Sequence, residues 1–342
     1  MATALSQAMQ CSMDLTALNS MALVAKASHF YALKRSEDLV DLIAAAKEQQ
    51  LEICILGGGS NVLLPPVYNG LLIHMQNKGI VVLNESRDDV TIKVQAGEVW
   101  DDFLQYALDH GWYGLENLAI IPGSVGAAPV QNIGAYGQEV AQCIHQVHCF
   151  DCLTLENVTF TAEECCFSYR DSIFKSSYRG RYIITAVEFK LEKHFQANIA
   201  YQPLAQALAG KVIDAAIVRQ TVIAIRESKL PSPDMIANCG SFFKNPLISA
   251  AEFSQLQLRY PSMPAFMMAE DKVKLAAGWL IEQCGWKGRN LGLCGMYEKQ
   301  ALVLVNHGGA CLADVKYLAE TVQTDVLAQF NVTLEIEPVV IV

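Results

Sequence analysis

The feature that most limits the fold is a glycine run, Gly57-Gly58-Gly59, that follows the apolar stretch Leu51 to Leu56 and is itself soon followed by Pro65-Pro66. The apolar stretch reads as a buried strand, and the prolines stop any long helix from starting after the glycines. A Rossmann pyrophosphate site needs such a helix, and it needs a third glycine where Val62 stands. A Walker loop needs Gly-Lys-Ser/Thr, which does not follow. What remains is strand, glycine loop, then more strand. In this setting the glycines are either a tight turn or a nest of backbone amides for an anion.

The 342 residues exceed one ordinary domain, so two or three domains with a ligand cleft are expected. An apolar fraction of 52% with 18% charged residues supplies sizeable cores. A net charge of −10 disfavours nucleic acid as a partner but leaves room for a local cationic pocket holding one small anion. No apolar run is long enough to span a bilayer, and Met1 to Met13 lacks a signal-peptide pattern, so no membrane association and a cytoplasmic location are expected. Eleven cysteines in that setting read as reduced thiols. His145, His148, Cys149 and Cys152 form half of a zinc pattern, but Ile144 to Phe150 alternates like a strand and no second half follows; no metal is expected.

Periodicity predicts an α/β (α+β) chain. Ser36 is placed to cap a helix with Leu39, Val40, Ile43 and Ala44 on one stripe; strands are expected at Leu71 to Met75, Ile80 to Leu83 and Val90 to Gln95. An amphipathic helix is predicted over Val99 to His110, an alternating strand over Arg181 to Leu191, and a helix over Asp214 to Ser228. Further expectations are a helix over Lys272 to Cys284, a strand over Leu302 to Asn306, a long helix ending near Phe330 and a strand from Val332. Leu118 to Gly137 is loop-like yet apolar, and its glycines at 123, 126, 134 and 137 let backbone press against a flat ligand. In Gly240-Ser241-Phe242-Phe243-Lys244-Asn245-Pro246 a hydroxyl sits between a glycine and two aromatics. It is either a turn before a buried Phe pair or a proton donor in a dry site, where Lys244 could favour its alkoxide.

Four ordered blocks together resemble the UDP-N-acetylenolpyruvoylglucosamine reductase family: Leu56 to Leu63, Ile121 to Gly137, Tyr169 to Lys175 and Gly240 to Pro246. The resemblance runs from about Leu15 to about Val339. It implies an FAD-binding region of the vanillyl-alcohol-oxidase-like fold in two parts, residues 1–70 and 71–228, with residues 229–331 as a C-terminal α/β substrate domain and the strand 332–342 returning to the first part. It implies reduction of UDP-N-acetylglucosamine-enolpyruvate to UDP-N-acetylmuramate for peptidoglycan, with NADPH as co-substrate. FAD would be held by Gly57, Gly58, Gly59, Ser60, Asn61, Pro122, Gly123, Ser124, Gly126, Ala127, Gln131, Asn132, Gly134, Ala135 and Tyr136. Substrate would be held by Tyr169, Tyr201, Lys229, Asn245 and Gln300.

The implied catalytic residues are Arg170, whose planar fork suits a carboxylate, Ser241 as proton donor, and Glu337. Taken alone, an arginine beside Tyr169 and Asp171 is more often a structural ion pair, and the functional reading comes from the matched block. Glu335 lies two residues before Glu337, and on a strand both would face one side, so periodicity does not choose between them; spacing from Asn331 selects Glu337. The chain departs from the family pattern at Tyr297, often a histidine, at Asn19-Ser20-Met21, and at Ile336-Glu337-Pro338-Val339. Two rivals remain: an oxidase of the same cofactor fold, marked by rapid flavin reoxidation in air, and a silent sugar-nucleotide binder, marked by tight binding without turnover.

Overall fold

The computed structural model describes residues 9–268 and 271–342; most of Met1 to Met13, on which the leader expectation rests, lies outside them. By its contacts the chain divides into two compact units. One comprises the chain up to Met13, Ala27–Gly58 and Asn69–Ser228; the other comprises Asp14–Lys26, Gly59–Tyr68 and Lys229–Val342.

Tyr182–Glu192 is the middle strand of a five-stranded antiparallel sheet in the first unit, ordered Glu156–Thr161, Ile144–Asp151, Tyr182–Glu192, Asp89–Gln95, Ile80–Glu85. The strand expected to alternate is instead buried on both faces from Ile183 to Phe189. Central position explains this, since long side chains on both flanking strands shield it. Val147, Val187 and Val94 stand in register and point into a core closed by the helix Trp100–Asp109. That helix buries Trp100, Phe103, Leu104 and Ala107, and its first-turn Asp101 and Asp102 suit the positive end of its dipole. Trp100 Nε1 donates to the Leu118 carbonyl at 2.9 Å, which ties the helix to the start of the glycine-dense loop.

A second sheet of this unit runs Gln10–Asp14, Lys26–Leu33, Val67–Met75, Ile53–Leu56, with the last two strands parallel. Its helix, Leu39–Glu48, buries Leu39, Leu42, Ile43, Ala45 and Ala46, so the expected stripe holds at Leu39 and Ile43, whereas Val40 and Ala44 face outward. Leu42 is the larger apolar side chain, and its burial sets the rotation of the helix. Ser36 opens a short 3₁₀ turn, Ser36–Asp38, and makes no capping bond.

In the second unit an antiparallel sheet is ordered Ala237–Ser241, Val303–Asn306, Cys294–Met296, Asn290–Leu291. A three-stranded sheet joins Leu247–Ser249, Lys272–Leu275 and Ala265–Met267. The helix expected over Lys272 to Cys284 is therefore split: Lys-Val-Lys-Leu has a period of two, with Val273 and Leu275 buried, and only Ala277–Gln283 is helical. The strand expected from Val332 shrinks to Val339–Val340, parallel to Val62–Leu63, because Val332 and Leu334 are drawn into the core against the helix Leu312–Phe330. Among the described residues no helix is long and apolar enough to cross a membrane.

Asp151, at the end of its strand, takes the Arg181 guanidinium at 2.7 Å and the Leu153 amide at 2.8 Å. The Arg181 bond and the amide hold its carboxyl below the ordinary value against the opposing effect of burial. A lowered pKa contributes stability that is present above the unfolded value of about 3.9 and lost as pH falls through the folded value. Arg181→Met should lower the urea midpoint at neutral pH and flatten its fall between about pH 5 and pH 2. An unchanged acid slope would remove this pair from the acid response.

Candidate active site

Gly57 and Gly58 end the first unit's part of the glycine run, and they abut the loop at Gly123 and Ser124. A Cβ on Gly58 would lie 2.7 Å from Gly123 Cα, and one on Gly57 would lie 2.5 Å from Ser124 Oγ and 3.4 Å from Ala127 Cβ. Real Cβ atoms do not come within 3.0 Å of another heavy atom, so at Gly58 the two backbones meet only because that glycine has no side chain, while at Gly57 the Ser124 hydroxyl takes the space. Pro122 and Gly123 lead into the 3₁₀ turn Val125–Ala127. Gly126 N donates to the Ala96 carbonyl at 2.9 Å, and a Cβ there would fall 2.5 Å from Ala96 Cβ, so this glycine seats the loop on the sheet. Ser124 Oγ is buried with no hydrogen-bond partner, although a hydroxyl is costly to desolvate unpaired. A hydrogen-bonding ligand at this cradle would satisfy it.

The other end of the loop belongs to Arg170. Its Nη2 donates to the Gly134 carbonyl at 2.8 Å, its guanidinium carbon lies 5.5 Å from the centroid of the Tyr169 ring, and its φ is +59°. Left-handed backbone at an arginine is strained, and the Ser168 to Asp171 pairing around it closes a tight turn. Lys175 Nζ bonds the Arg170 carbonyl at 3.1 Å and Gln131 Oε1 at 3.3 Å. Ala135 pairs with Gln138 in the short hairpin that follows Gly134. Tyr136, with φ +50°, meets Tyr201 edge to face at 5.5 Å. Asn132 is fully buried, and its side chain is spent on Glu139, the Ser168 carbonyl and the Ala141 amide, so its amide braces the loop.

In the second unit, Gly59 has φ +66°, and a Cβ there would strike the Leu18 carbonyl at 1.9 Å. Ser20 N donates to the Gly59 carbonyl, and Ser20 Oγ to the Ser60 carbonyl at 3.4 Å; the Asn61 carbonyl accepts from Val339 N at 2.9 Å. The departing Asn19-Ser20-Met21 segment is thus the brace of the glycine run: Asn19 bonds the Leu15 and Leu23 carbonyls and accepts from Leu23 N.

Ser241 closes the strand Ala237–Ser241, whose register against Val303–Asn306 slips between Asn238 and Ser241. The bulge passes through Gly240, φ +75°, with nothing near its absent Cβ, so backbone freedom and not space is what requires glycine. A bulge of this kind re-aims the next side chain. Phe242 and Phe243 anchor it, both fully buried with rings 5.1 Å apart. Against them runs the C-terminal segment: Phe243 bridges Ile336, Glu337 N donates to the Phe242 carbonyl, and Lys244 N to the Glu335 carbonyl. The two glutamates then part. Glu335 is largely exposed and pairs with Lys244, whereas half-buried Glu337 adds to the burial that pushes the Cys239 thiol up. Asn245 Oδ1 accepts from Ala277 N at 3.0 Å, and Gln300 Oε1 lies 2.8 Å from where a Gly278 Cβ would be, so both converge on the start of Ala277–Gln283. Lys229 is exposed at the end of the helix Ala215–Lys229.

A family model described as the UDP-N-acetylenolpyruvoylglucosamine reductase C-terminal domain matches residues 231–341, and an FAD binding domain matches residues 27–154. UDP-N-acetylenolpyruvoylglucosamine reductase of Neisseria meningitidis serogroup A is 47% identical over 329 residues, 95% of each chain; that of Bdellovibrio bacteriovorus is 47% identical over 332 residues, 96% of this chain and 98% of its own. The chain belongs to the UDP-N-acetylenolpyruvoylglucosamine reductase family. It is therefore an oxidoreductase with an FAD-binding domain. The crystal structure of the family member from Thermus caldophilus shares the fold, with a TM-score of 0.66 over 97% of this chain and 99% of that one at 22% identity.

Sequence reasoning missed one feature of this reductase. Arg226 and Arg219 lie two turns apart on Ala215–Lys229, a helix read only for its apolar stripe. Arg219 pairs with Asp101 at 2.8 Å, and Asp101 also accepts from Ile120 N at 2.7 Å, where the loop begins. Burial lowers the Arg226 pKa and nearby Arg170 adds to that, against Tyr136 and Asp101. The signal was available: two arginines seven residues apart share a helix face.

Gly58→Ala should drive the glycine run away from Gly123 and weaken FAD retention at least roughly tenfold, a loss of about 1.4 kcal/mol. Flavin release on dilution measures it. Unchanged affinity would show that this approach is not part of the FAD cradle.

Proposed function

We propose that the chain reduces the enolpyruvyl double bond of UDP-N-acetylglucosamine-enolpyruvate to give UDP-N-acetylmuramate, a cytoplasmic step of peptidoglycan precursor synthesis, with NADPH as co-substrate. The observation that carries the reading is the bulged strand end at Ser241, laid beside the segment that carries Glu337, in a chain 47% identical to reductases of this name. On this reading residues 1–70 and 71–228 hold FAD, residues 229–331 take the sugar nucleotide, and the final strand returns to the first part. The pairing of Val339–Val340 with Val62–Leu63 supports that return, although Gly59–Tyr68 is compact with the C-terminal unit.

FAD, when bound, supplies the hydride that NADPH gives up. Gly57 to Asn61, Pro122, Gly123, Ser124, Gly126, Ala127, Gln131, Gly134, Ala135 and Tyr136 hold it, Ser124 Oγ being the buried hydroxyl that most needs such a partner. Asn132 acts through the loop it braces.

Addition of hydride to one alkene carbon leaves an enolate at the substrate carboxylate. Arg170, already oriented by the Gly134 carbonyl, meets that charge with a planar pair of donors. Ser241 gives its proton to the other carbon. A serine hydroxyl is a weak acid, so it needs a dry setting, which the buried Phe242 and Phe243 provide on one side. Glu337 is the carboxyl that relays or polarises. The Lys244–Glu335 pair ties the two segments together, which supports reading Glu335 as the bracing carboxylate and Glu337 as the one that takes part in the chemistry. Tyr169, Tyr201, Lys229, Asn245 and Gln300 grip the nucleotide and diphosphate.

Ser241→Ala should leave flavin bleaching by NADPH near the parent rate while flavin reoxidation by the enolpyruvyl sugar nucleotide falls by roughly 10²–10⁴-fold. Reoxidation at the parent rate with substrate affinity intact would make Ser241 a turn residue only. Glu337→Gln should slow the same half-reaction, whereas Glu335→Gln should leave it within about threefold and lower thermal stability slightly, as expected for an exposed pair. Single-turnover reoxidation decides between them, and the reverse pattern would transfer the role to Glu335.

A further inference from the structure

The five-stranded sheet has a second face that the proposed reaction does not use. Val147, Val187 and Val94 point into the core, so by alternation Lys93, Glu188, Gln146, Gln95, Ala186 and His148 face the other way. That face carries a cavity of about 440 Å³ whose lining includes Lys34, Arg35, Lys78, Lys93, His148 and Asn157, with Glu37 as its carboxylate. The volume falls in the range of small-ligand pockets, roughly 300–1,000 Å³.

The charges there are unevenly matched. Arg35 is bound to Asp38 at 2.6 Å, Lys78 to Glu98 at 3.3 Å, and His148 Nε2 to Glu188 at 2.6 Å. Lys93 stands across the strand from Glu188, whose carboxylate His148 already holds. Among the described residues Lys34 and Lys93 have no ion-pair partner. In a chain of net charge −10, two lysines without an ion-pair partner line one cavity with the amides of Gln95 and Asn157, set against the single carboxylate of that lining, Glu37.

One turn separates this cavity from the cradle. Asn77, buried in the cavity wall, donates to Gln95 Oε1 at 2.9 Å and to the Thr185 carbonyl at 2.8 Å, and accepts from Gly97 N at 3.2 Å. Glu98, the partner of Lys78, accepts from Gly79 N at 2.7 Å through its carboxylate, while its carbonyl accepts from Val125 N at 2.9 Å. Cavity residues thus grip residues 95–98 on one side, and the Ser124–Gly126 segment grips them on the other.

We propose that this cavity is a second anion site, taking a compact polyanion of the phosphate-ester or diphosphate class, and that its occupancy is coupled to the cradle. The coupling rests on the FAD reading of Ser124 to Gly126; the site itself does not. An anion on Lys34 and Lys93 competes with Glu98 for Lys78. The Glu98 carboxylate is held by both Lys78 and Gly79 N while its carbonyl holds Val125 N, so loss of the Lys78 contact removes one of the holds on the residue that seats Val125.

Inorganic pyrophosphate titrated calorimetrically into the flavin-loaded protein should bind, and the Lys34→Met/Lys93→Met double variant should weaken that binding at least about tenfold. Turnover of the double variant without pyrophosphate should equal that of the parent. Saturating pyrophosphate should change the FAD dissociation constant at least about twofold in the parent and leave it unchanged in the double variant. No binding by the parent at millimolar pyrophosphate, or equal binding by the double variant, overturns the site. Binding that leaves FAD affinity unchanged overturns the coupling. If the double variant fails to retain flavin, exposed Lys34→Met alone should weaken binding about threefold, and undiminished binding by it overturns the site.

Discussion

Two backbones meet without side chains at Gly58 and Gly123, and the first unit is arranged around that contact. A Cβ at Gly58 would stand 2.7 Å from Gly123 Cα. Glycine has no such atom, and it accepts the loss of chain entropy that ordering imposes because the surroundings hold it. The support is layered. Gly126 lies on Ala96, residues 95–98 continue a central sheet strand, and Val94 of that strand is fully buried beside Val187. A rigid sheet therefore sets the position of a flexible loop, the usual division of labour between scaffold and site.

In the second unit the proposed reaction places its demand on Ser241, at a strand end, and on Glu337, in the C-terminal segment beside it. They are held by a bulge at Gly240, a fully buried Phe pair, and the hydrogen bonds of that segment to residues 242–244. The segment Asn19-Ser20-Met21 ties this strand to the glycine run: Asn238 N donates to the Ser20 carbonyl, and Asn306 Nδ2 to the Met21 carbonyl. These bonds use backbone atoms at Ser20 and Met21. That explains how those two positions depart from the family pattern while the brace persists.

Charge placement follows burial. Arg170, Arg219 and Arg226 are all only partly exposed, in a protein whose overall charge is negative. Burial, with a smaller contribution from nearby Arg170, lowers the Arg226 pKa, and an anionic ligand beside these two guanidiniums would offset both costs. Asp101 links Arg219 to the Ile120 amide and so joins this cationic group to the loop that follows.

The sequence by itself determined the local elements whose period was unambiguous. The Trp100–Asp109 helix, the strand into the glycine run and the long helix to Phe330 fall where spacing puts them, and four ordered motifs were enough to mark the family and its FAD-binding domain. Tertiary structure decided whatever depended on a partner distant in the chain. On Leu39–Glu48 packing kept Leu39 and Ile43 of the expected stripe and added Leu42, Ala45 and Ala46 in place of Val40 and Ala44. A period-two stretch at Lys272 became strand because Leu247–Ser249 and Ala265–Met267 were there to pair with it. Glu335 and Glu337 are equivalent by alternation, and the fold gives them different surroundings: Lys244, brought alongside by a bulged strand nearly a hundred residues earlier, pairs with exposed Glu335, while Glu337 is half-buried beside Cys239. Asn132 and Arg226 show the same limit from opposite directions. The motif marked the first for a ligand and the fold gave it a bracing role, while the second carried no motif and acquired its setting from burial. Periodicity describes a residue's own element, whereas charge, strain and hydrogen bonding depend on which other element packs against it.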